Sequence, residues 1–177
     1  MEKYVAILRG INVGGKRKIL MQDLKELFLS LGFEDVSTYI QSGNVIFKAE
    51  TEDFFALSEK IERAILDKYG FEVPVIVRSS SELNELVSSN PFAKDPETDT
   101  KLLHLTFLKN TPVPGIDESI NASDFVPDKF EIINDNVFIK CAGKYSDSKL
   151  TNLFFERKLK VQATTRNWNT VLKLASM

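Results

Sequence analysis

The chain reads as an α+β protein of two ferredoxin-like (split βαβ) halves, related by a diverged duplication and packed as one compact body. Three observations carry that expectation. Residues 1–78 run through strand, helix, strand, strand, helix and strand patterns, the order of a split βαβ unit. Ser42-Gly43-Asn44-Val45-Ile46-Phe47-Lys48 can be laid on Asn134-Asp135-Asn136-Val137-Phe138-Ile139-Lys140, matching turn position, Asn-Val, two large apolar residues and Lys. With 177 residues, 43% apolar and 27% charged, the chain can bury one sizeable core or two halves and is not compositionally disordered.

Each element has its own signal. Val5-Ala6-Ile7-Leu8 is an unbroken apolar run and predicts a central strand covered on both faces. Leu24, Leu27, Phe28 and Leu31 recur at helical spacing, with Gly32 placed to end the helix. Strands over Val36 to Ile40 and Val45 to Phe47 flank the turn Gln41-Ser42-Gly43-Asn44, where Gly43 supplies a positive φ. Leu57, Ile61 and Ile65 predict a second helix ending at Gly70. Val73 to Val77 reads as a strand, and Pro74, unable to donate to a ladder, puts it at a sheet edge.

A short helix near Leu83–Val87 precedes the connector, residues 91–100, which separates a first half (1–90) from a second (101–177). In the second half, Leu102 to Leu108 predicts a strand, Ser119–Phe125 a weak helical stretch, and Phe130–Ile133 with Val137–Ile139 a hairpin. Leu150, Leu153, Phe154 and Arg157 mark a helix. Trp168, Val171, Leu172 and Ala175 mark the last one, with Thr164 or Thr165 as its N-cap. By the duplication, this last helix is expected to stand where the first half has Leu57–Ile65, with no strand required after it.

Composition narrows the function classes. One cysteine excludes an internal disulfide and fits a reducing cytoplasm. The apolar stretch at the N-terminus is stopped by Arg9, short of a secretory signal, and no run is long enough to cross a bilayer. A cytoplasmic protein without membrane contact is expected. The net charge of −2 hides an uneven distribution: residues 1–20 carry +4, residues 149–177 carry +5, and the middle carries −11. Basic ends on an acidic body predict one positive face if the termini meet.

The run Arg9-Gly10-Ile11-Asn12-Val13-Gly14-Gly15-Lys16-Arg17-Lys18 holds three glycines and four cations between a strand and a helix. Glycines that turn the backbone N–H groups inward, followed by cations and a helix N-terminus, are how a chain wraps an anion. Gly10-x-x-x-x-Gly15-Lys16 stops one residue short of a P-loop, because Arg17 stands where a magnesium-holding Ser or Thr is required. Phosphate or carboxylate binding without nucleotide hydrolysis survives. At the other end, Arg166 in the first turn of a helix would oppose the helix dipole, and an anion held there with Asn167 would relieve the conflict.

His104 and Cys141 are the sole histidine and cysteine, so a thiol–imidazole pair is conceivable, but a buried histidine and an inert core thiol are the expectation. No second histidine exists for a metal site, and no metal or cofactor is expected. The Lys/Arg-Gly-aromatic signature of an RNA-binding sheet is absent, although phosphate contacts from the basic ends remain open.

Leu8-Arg9-Gly10-Ile11-Asn12-Val13-Gly14-Gly15-Lys16, Tyr39-Ile40-Gln41-Ser42-Gly43-Asn44-Val45 and Thr165-Arg166-Asn167-Trp168-Asn169-Thr170, with Asn90-Pro91-Phe92 and Ser148-Lys149-Leu150, resemble a widespread bacterial family, domain of unknown function 1697. The resemblance implies a duplicated α+β fold in a small cytoplasmic protein and brings no activity, substrate or catalytic residue. The leading functional expectation is a binding protein for an anionic, phosphate-bearing ligand. Its site residues are Asn12, Gly14, Gly15, Lys16, Arg17, Ser42, Asn44, Arg166 and Asn167. The partner is a small anionic molecule or a nucleic-acid phosphate. One alternative is an enzyme acting on such a ligand, with Lys16 or Arg166 stabilising developing charge and no general base in sight. The other is a protein-interaction subunit without a small ligand.

Overall fold

A computed structural model of the protein describes residues 1–50 and 53–177. The chain divides into two compact units, residues 1–84 with Met177, and residues 85–176. Each holds one four-stranded antiparallel sheet.

In the first unit, β1 (Glu2–Leu8), α1 (Met21–Ser30), β2 (Glu34–Tyr39), β3 (Asn44–Ala49), α2 (Phe54–Tyr69) and β4 (Val75–Ser79) follow in sequence. The sheet order is β2-β3-β1-β4, so the apolar run becomes an inner strand, as its lack of alternation predicts. Tyr4, Ala6 and Leu8 face a core completed by Leu24, Leu27 and Phe28 of α1 and by Leu57, Ile61 and Ile65 of α2. Phe28 and Phe33 both pack against Phe47, at ring separations of 5.4 and 4.5 Å. Gly70 ends α2 in the left-handed region, where a side chain would be strained. Strand β4 lies at the sheet edge; Pro74 just precedes it, and its carbonyl accepts the Arg9 N–H.

Helix α3 (Ser80–Ser89) then leads from the first unit into the second. There, β5 (Leu103–Leu108), β6 (Lys129–Ile133), β7 (Asn136–Lys140), α4 (Asn152–Leu159), β8 (Ala163–Asn167) and α5 (Trp168–Ser176) follow, in sheet order β6-β7-β5-β8. Between β5 and β6 the chain makes two short 3-10 turns, Ile116–Ser119 and Ala122–Phe125. A core of Leu108, Val137, Ile139, Leu150, Phe155 and Leu159 lies under α4.

Two expectations about this half are corrected. The first concerns the buried face of α4. Leu150 lies ahead of Thr151, whose hydroxyl caps the helix by accepting the Phe154 N–H, so Leu150 does not set the helical phase. Phe155 and Leu159 are buried instead, four residues apart, and Leu153 is exposed. The second concerns residues 163–167. They are not the opening of the last helix but a strand, β8, because they pair with β5 from His104↔Asn167 to Leu108↔Ala163. Asn167, not Thr164 or Thr165, caps α5: its Oδ1 accepts the Thr170 N–H at 2.8 Å. It is therefore α4, and not the last helix, that precedes the edge strand, as α2 does in the first unit.

The two sheets repeat local detail as well as strand order. Ile7 pairs with Asn44, and Phe107 with Asn136. The N–H of Leu8 donates to Gly43 O at 2.8 Å, and that of Leu108 to Asp135 O at 2.9 Å. Arg9 donates to Pro74 O, and Lys109 to Gln162 O. At the head of each edge strand a backbone N–H is taken by a helix carboxylate: Val75 by Glu62 at 2.7 Å, Ala163 by Glu156 at 2.9 Å.

Candidate functional site

Strand β1 delivers the chain into the glycine-rich loop at full burial, and the loop then makes a miniature hairpin. Val13 and Lys16 bridge across Gly14 and Gly15, whose φ values of 59° and 73° are both left-handed. The Lys16 N–H donates to Val13 O at 3.1 Å and the Asn12 N–H to Arg17 O at 3.1 Å. Positive φ at both central residues with this bond is the pattern of a type I′ turn, and Gly-Gly is among the residue pairs that form it without steric cost. The N–H groups of Gly14 and Gly15 take no part in the turn's own bonds.

Asn12 locks this hairpin to the rest of the unit. Its Nδ2 donates to Ile19 O at 3.0 Å and to Gln41 O at 2.9 Å, and its Oδ1 accepts the Ile19 N–H at 2.9 Å. Asn12 itself sits at φ 55°, a region that asparagine tolerates better than most residues. Both amide protons are thus committed to backbone, and its role in the loop is to clamp it. Ser42 and Asn44 do similar work across the turn. The Asn44 Nδ2 donates to Tyr39 O and to Ser42 Oγ from a buried position.

Between the loop, the start of α1 and the 40s turn lies a cavity of about 340 Å³. Its polar lining is Asn12, Gly15, Lys18 and Gln41, and its apolar lining is Ile19, Leu20 and Met21. Leu20 occupies the N-cap position of α1 and supplies no side-chain acceptor to the first-turn N–H groups. That end of the helix keeps its favourable potential for an anion, offset in part by the first-turn carboxylate of Asp23. Lys16 and Lys18 are exposed and form no ion pair among the described residues. Arg17 is half-buried, at φ 49°. Of the residues expected from sequence, Asn12 and Gly15 line the cavity, while Gly14, Lys16 and Arg17 belong to the hairpin beside it. Gln41, from the 40s turn whose polar residues the sequence already pointed to, and Lys18, the last cation of the basic run, also line it, whereas the apolar residues Ile19, Leu20 and Met21 were missed. The signal available for those three was continuity, since residues 15–21 run without interruption from turn to helix.

Arg166 and Asn167 belong to the second unit. Arg166 is on β8, buried, with Nη1 donating to Thr164 Oγ1 at 2.9 Å and to Thr165 O at 3.0 Å. Burial lowers its guanidinium pKa to about 10, which leaves it charged at neutral pH. Contrary to expectation, Arg166 is not in the first turn of a helix but in β8, one residue before the Asn167 that caps α5. Asn167 spends its side-chain oxygen on the α5 cap.

Also in this unit, His104 pairs across the ladder with Ile139 and stacks on Tyr145 at 4.4 Å, with the rings 21° apart. Its Nδ1 is buried with no hydrogen-bond partner among the described residues, and burial pushes the imidazole pKa down. Cys141 is buried, and burial, aided by the Asp128 carboxylate, pushes its thiol pKa up. A nucleophilic pair needs the opposite, a basic imidazole and an acidified thiol. Among the described residues no cluster of histidine, cysteine and carboxylates has the arrangement of a metal site. No helix there is long and apolar enough to cross a membrane.

A family model described as a protein of unknown function, DUF1697, matches residues 1–138. A solved structure, that of a conserved bacterial protein from Streptococcus pneumoniae, is similar over 100% of this chain and 98% of its own. It has a TM-score of 0.77 at 25% sequence identity. No curated protein matches the chain.

Proposed function

The chain belongs to the DUF1697 family of proteins of unknown function, and we propose that it is a binding protein for a small anionic, phosphate-bearing molecule at the glycine loop of its first unit. The observation that carries this reading is the cavity itself. A volume of about 340 Å³ adjoins an α1 N-terminus without a side-chain cap, Lys18 lines it, and the Gly14-Gly15 turn with Lys16 stands beside it. Such a volume falls in the range of small-molecule pockets, which favours a discrete ligand over a nucleic-acid backbone. The charges at hand stabilise a bound anion, and among the described residues the cavity lining holds no carboxylate or histidine to act as a general base, which favours the binding reading. Arg166 and Asn167, committed to β8 and to the α5 cap, are not needed for it.

Two further parts of the proposal concern origin and location. The repeated strand order, the paired registers and the matched Glu62 and Glu156 contacts support two ferredoxin-like units descended from one. The single buried cysteine suits a cytoplasmic setting.

Calorimetric titration with inorganic phosphate tests the site. Binding is expected to weaken severalfold in Lys18→Ala and less in Lys16→Ala, and to weaken as ionic strength rises, because the charge contribution is screened. Binding that is absent, or unchanged in both variants, would overturn the reading.

A further inference from the structure

We infer that the ligand is an amphipathic anion: a phosphate or carboxylate joined to an apolar, ring-sized body that packs on Leu20 and Met21. The inference rests on the anion-binding reading above and adds the chemistry of the other half of the molecule. It begins with size. A bare phosphate takes the place of only two or three waters, on the order of 60–90 Å³. The cavity holds about 340 Å³, so a free ion would leave most of it as solvent. The composition of its wall is the second argument. Three consecutive large apolar residues line a cavity whose other walls are a lysine, two amides and a glycine.

Leu20 is 71% exposed although its neighbour Ile19 is buried, and it takes a helix N-cap position that Ser, Thr, Asp or Asn would fill better. The apolar side chain there serves neither the core nor the cap. Val13 and Ile40, adjoining the lining residues Asn12 and Gln41, are 65% and 46% exposed. Ile40 is held at φ 51°, a conformation unfavourable for a β-branched residue. Covering such apolar surface is worth far more to a ligand with its own apolar body than to a free ion. Polar groups at one end and an apolar wall at the other also fix the orientation of the bound molecule.

The test compares inorganic phosphate, phenyl phosphate and phenol by calorimetry on the full chain, with Leu20→Ala and Lys18→Ala as variants. Phenyl phosphate is expected to bind at least tenfold more tightly than phosphate, and phenol only weakly. Leu20→Ala, at an exposed position, should erase most of that tenfold gain and leave phosphate affinity within twofold. Lys18→Ala should weaken both anions. Equal affinities for phosphate and phenyl phosphate would overturn the apolar body and leave the anion site standing. Phenol binding as tightly as phenyl phosphate would overturn the anion site and leave the apolar wall. If none of the three binds, both readings fall.

Discussion

His104 and Asn12 are both polar residues with small exposure, and they differ in whether their hydrogen bonds are met. Asn12 satisfies its amide three times over within its loop, which is why it serves as a clamp. His104 has a ring nitrogen with no partner among the described residues, and burial pushes its pKa down. The sign of its effect on stability follows from proton counting. Its folded pKa lies below the ordinary value near 6.5, so below pH 6.5 the unfolded chain takes up a proton that the folded chain refuses. Stability should therefore be full above pH 6.5 and fall as the pH drops below it, by at most about 1.4 kcal/mol per pH unit. Urea unfolding between pH 7 and 5, above the carboxylate range, measures it. His104→Phe, which keeps a ring against Tyr145, should flatten the profile; an unchanged slope would assign it to other groups.

Turns show most plainly how one element can need glycine for different reasons. Gly43 sits at φ 90°, and a Cβ there would come within 2.7 Å of Ile11 Cδ1 and 2.9 Å of Leu8 Cβ. Gly15 also has a positive φ, but nothing lies within 4 Å of a Cβ built on it. Gly15→Ala should cost only the backbone strain, about 1–2 kcal/mol. Gly43→Ala adds collision with two core side chains and should cost about 2–5 kcal/mol. Chemical denaturation of the two variants ranks them, and equal losses would mean that strain alone decides. The need for a left-handed residue was legible in both turns, since the 40s hairpin and the Gly14-Gly15 pair have turn-forming sequences. The close approach at Gly43 was not, because Ile11 and Leu8 meet it only once β1 pairs with β3. The same limit explains the miss at β8. Thr-Thr-Arg-Asn has little apolar pattern of its own, and pairing with β5 makes it a strand.

Across the whole molecule, the two units repeat one device that no local pattern announces. A helix glutamate, Glu62 or Glu156, accepts the first N–H of an edge strand, Val75 or Ala163. Removing either acceptor leaves a partly buried N–H without a partner, a loss of about 1–3 kcal/mol. Glu62→Ala and Glu156→Ala should therefore destabilise their units by similar amounts. Glu62→Gln and Glu156→Gln, which keep an acceptor oxygen, should lose much less. A large effect in one unit and none in the other, read by hydrogen exchange at Val75 and Ala163, would show that the two contacts are not equivalent.

By itself the sequence determined the mixed α+β class, the inner position of the Val5–Leu8 strand, both hairpins and the glycine-rich turn. Each rests on a local cause: an uninterrupted apolar run, a turn residue with a permitted φ, or a helical period over a few turns. Tertiary structure alone decided the strand at residues 163–167, the buried face of α4, the lowered pKa of His104 and the cavity wall of Ile19, Leu20 and Met21. Those depend on which segments, far apart in the chain, come to lie against one another. Pairing and burial are set by that meeting, and no window of neighbouring residues encodes it.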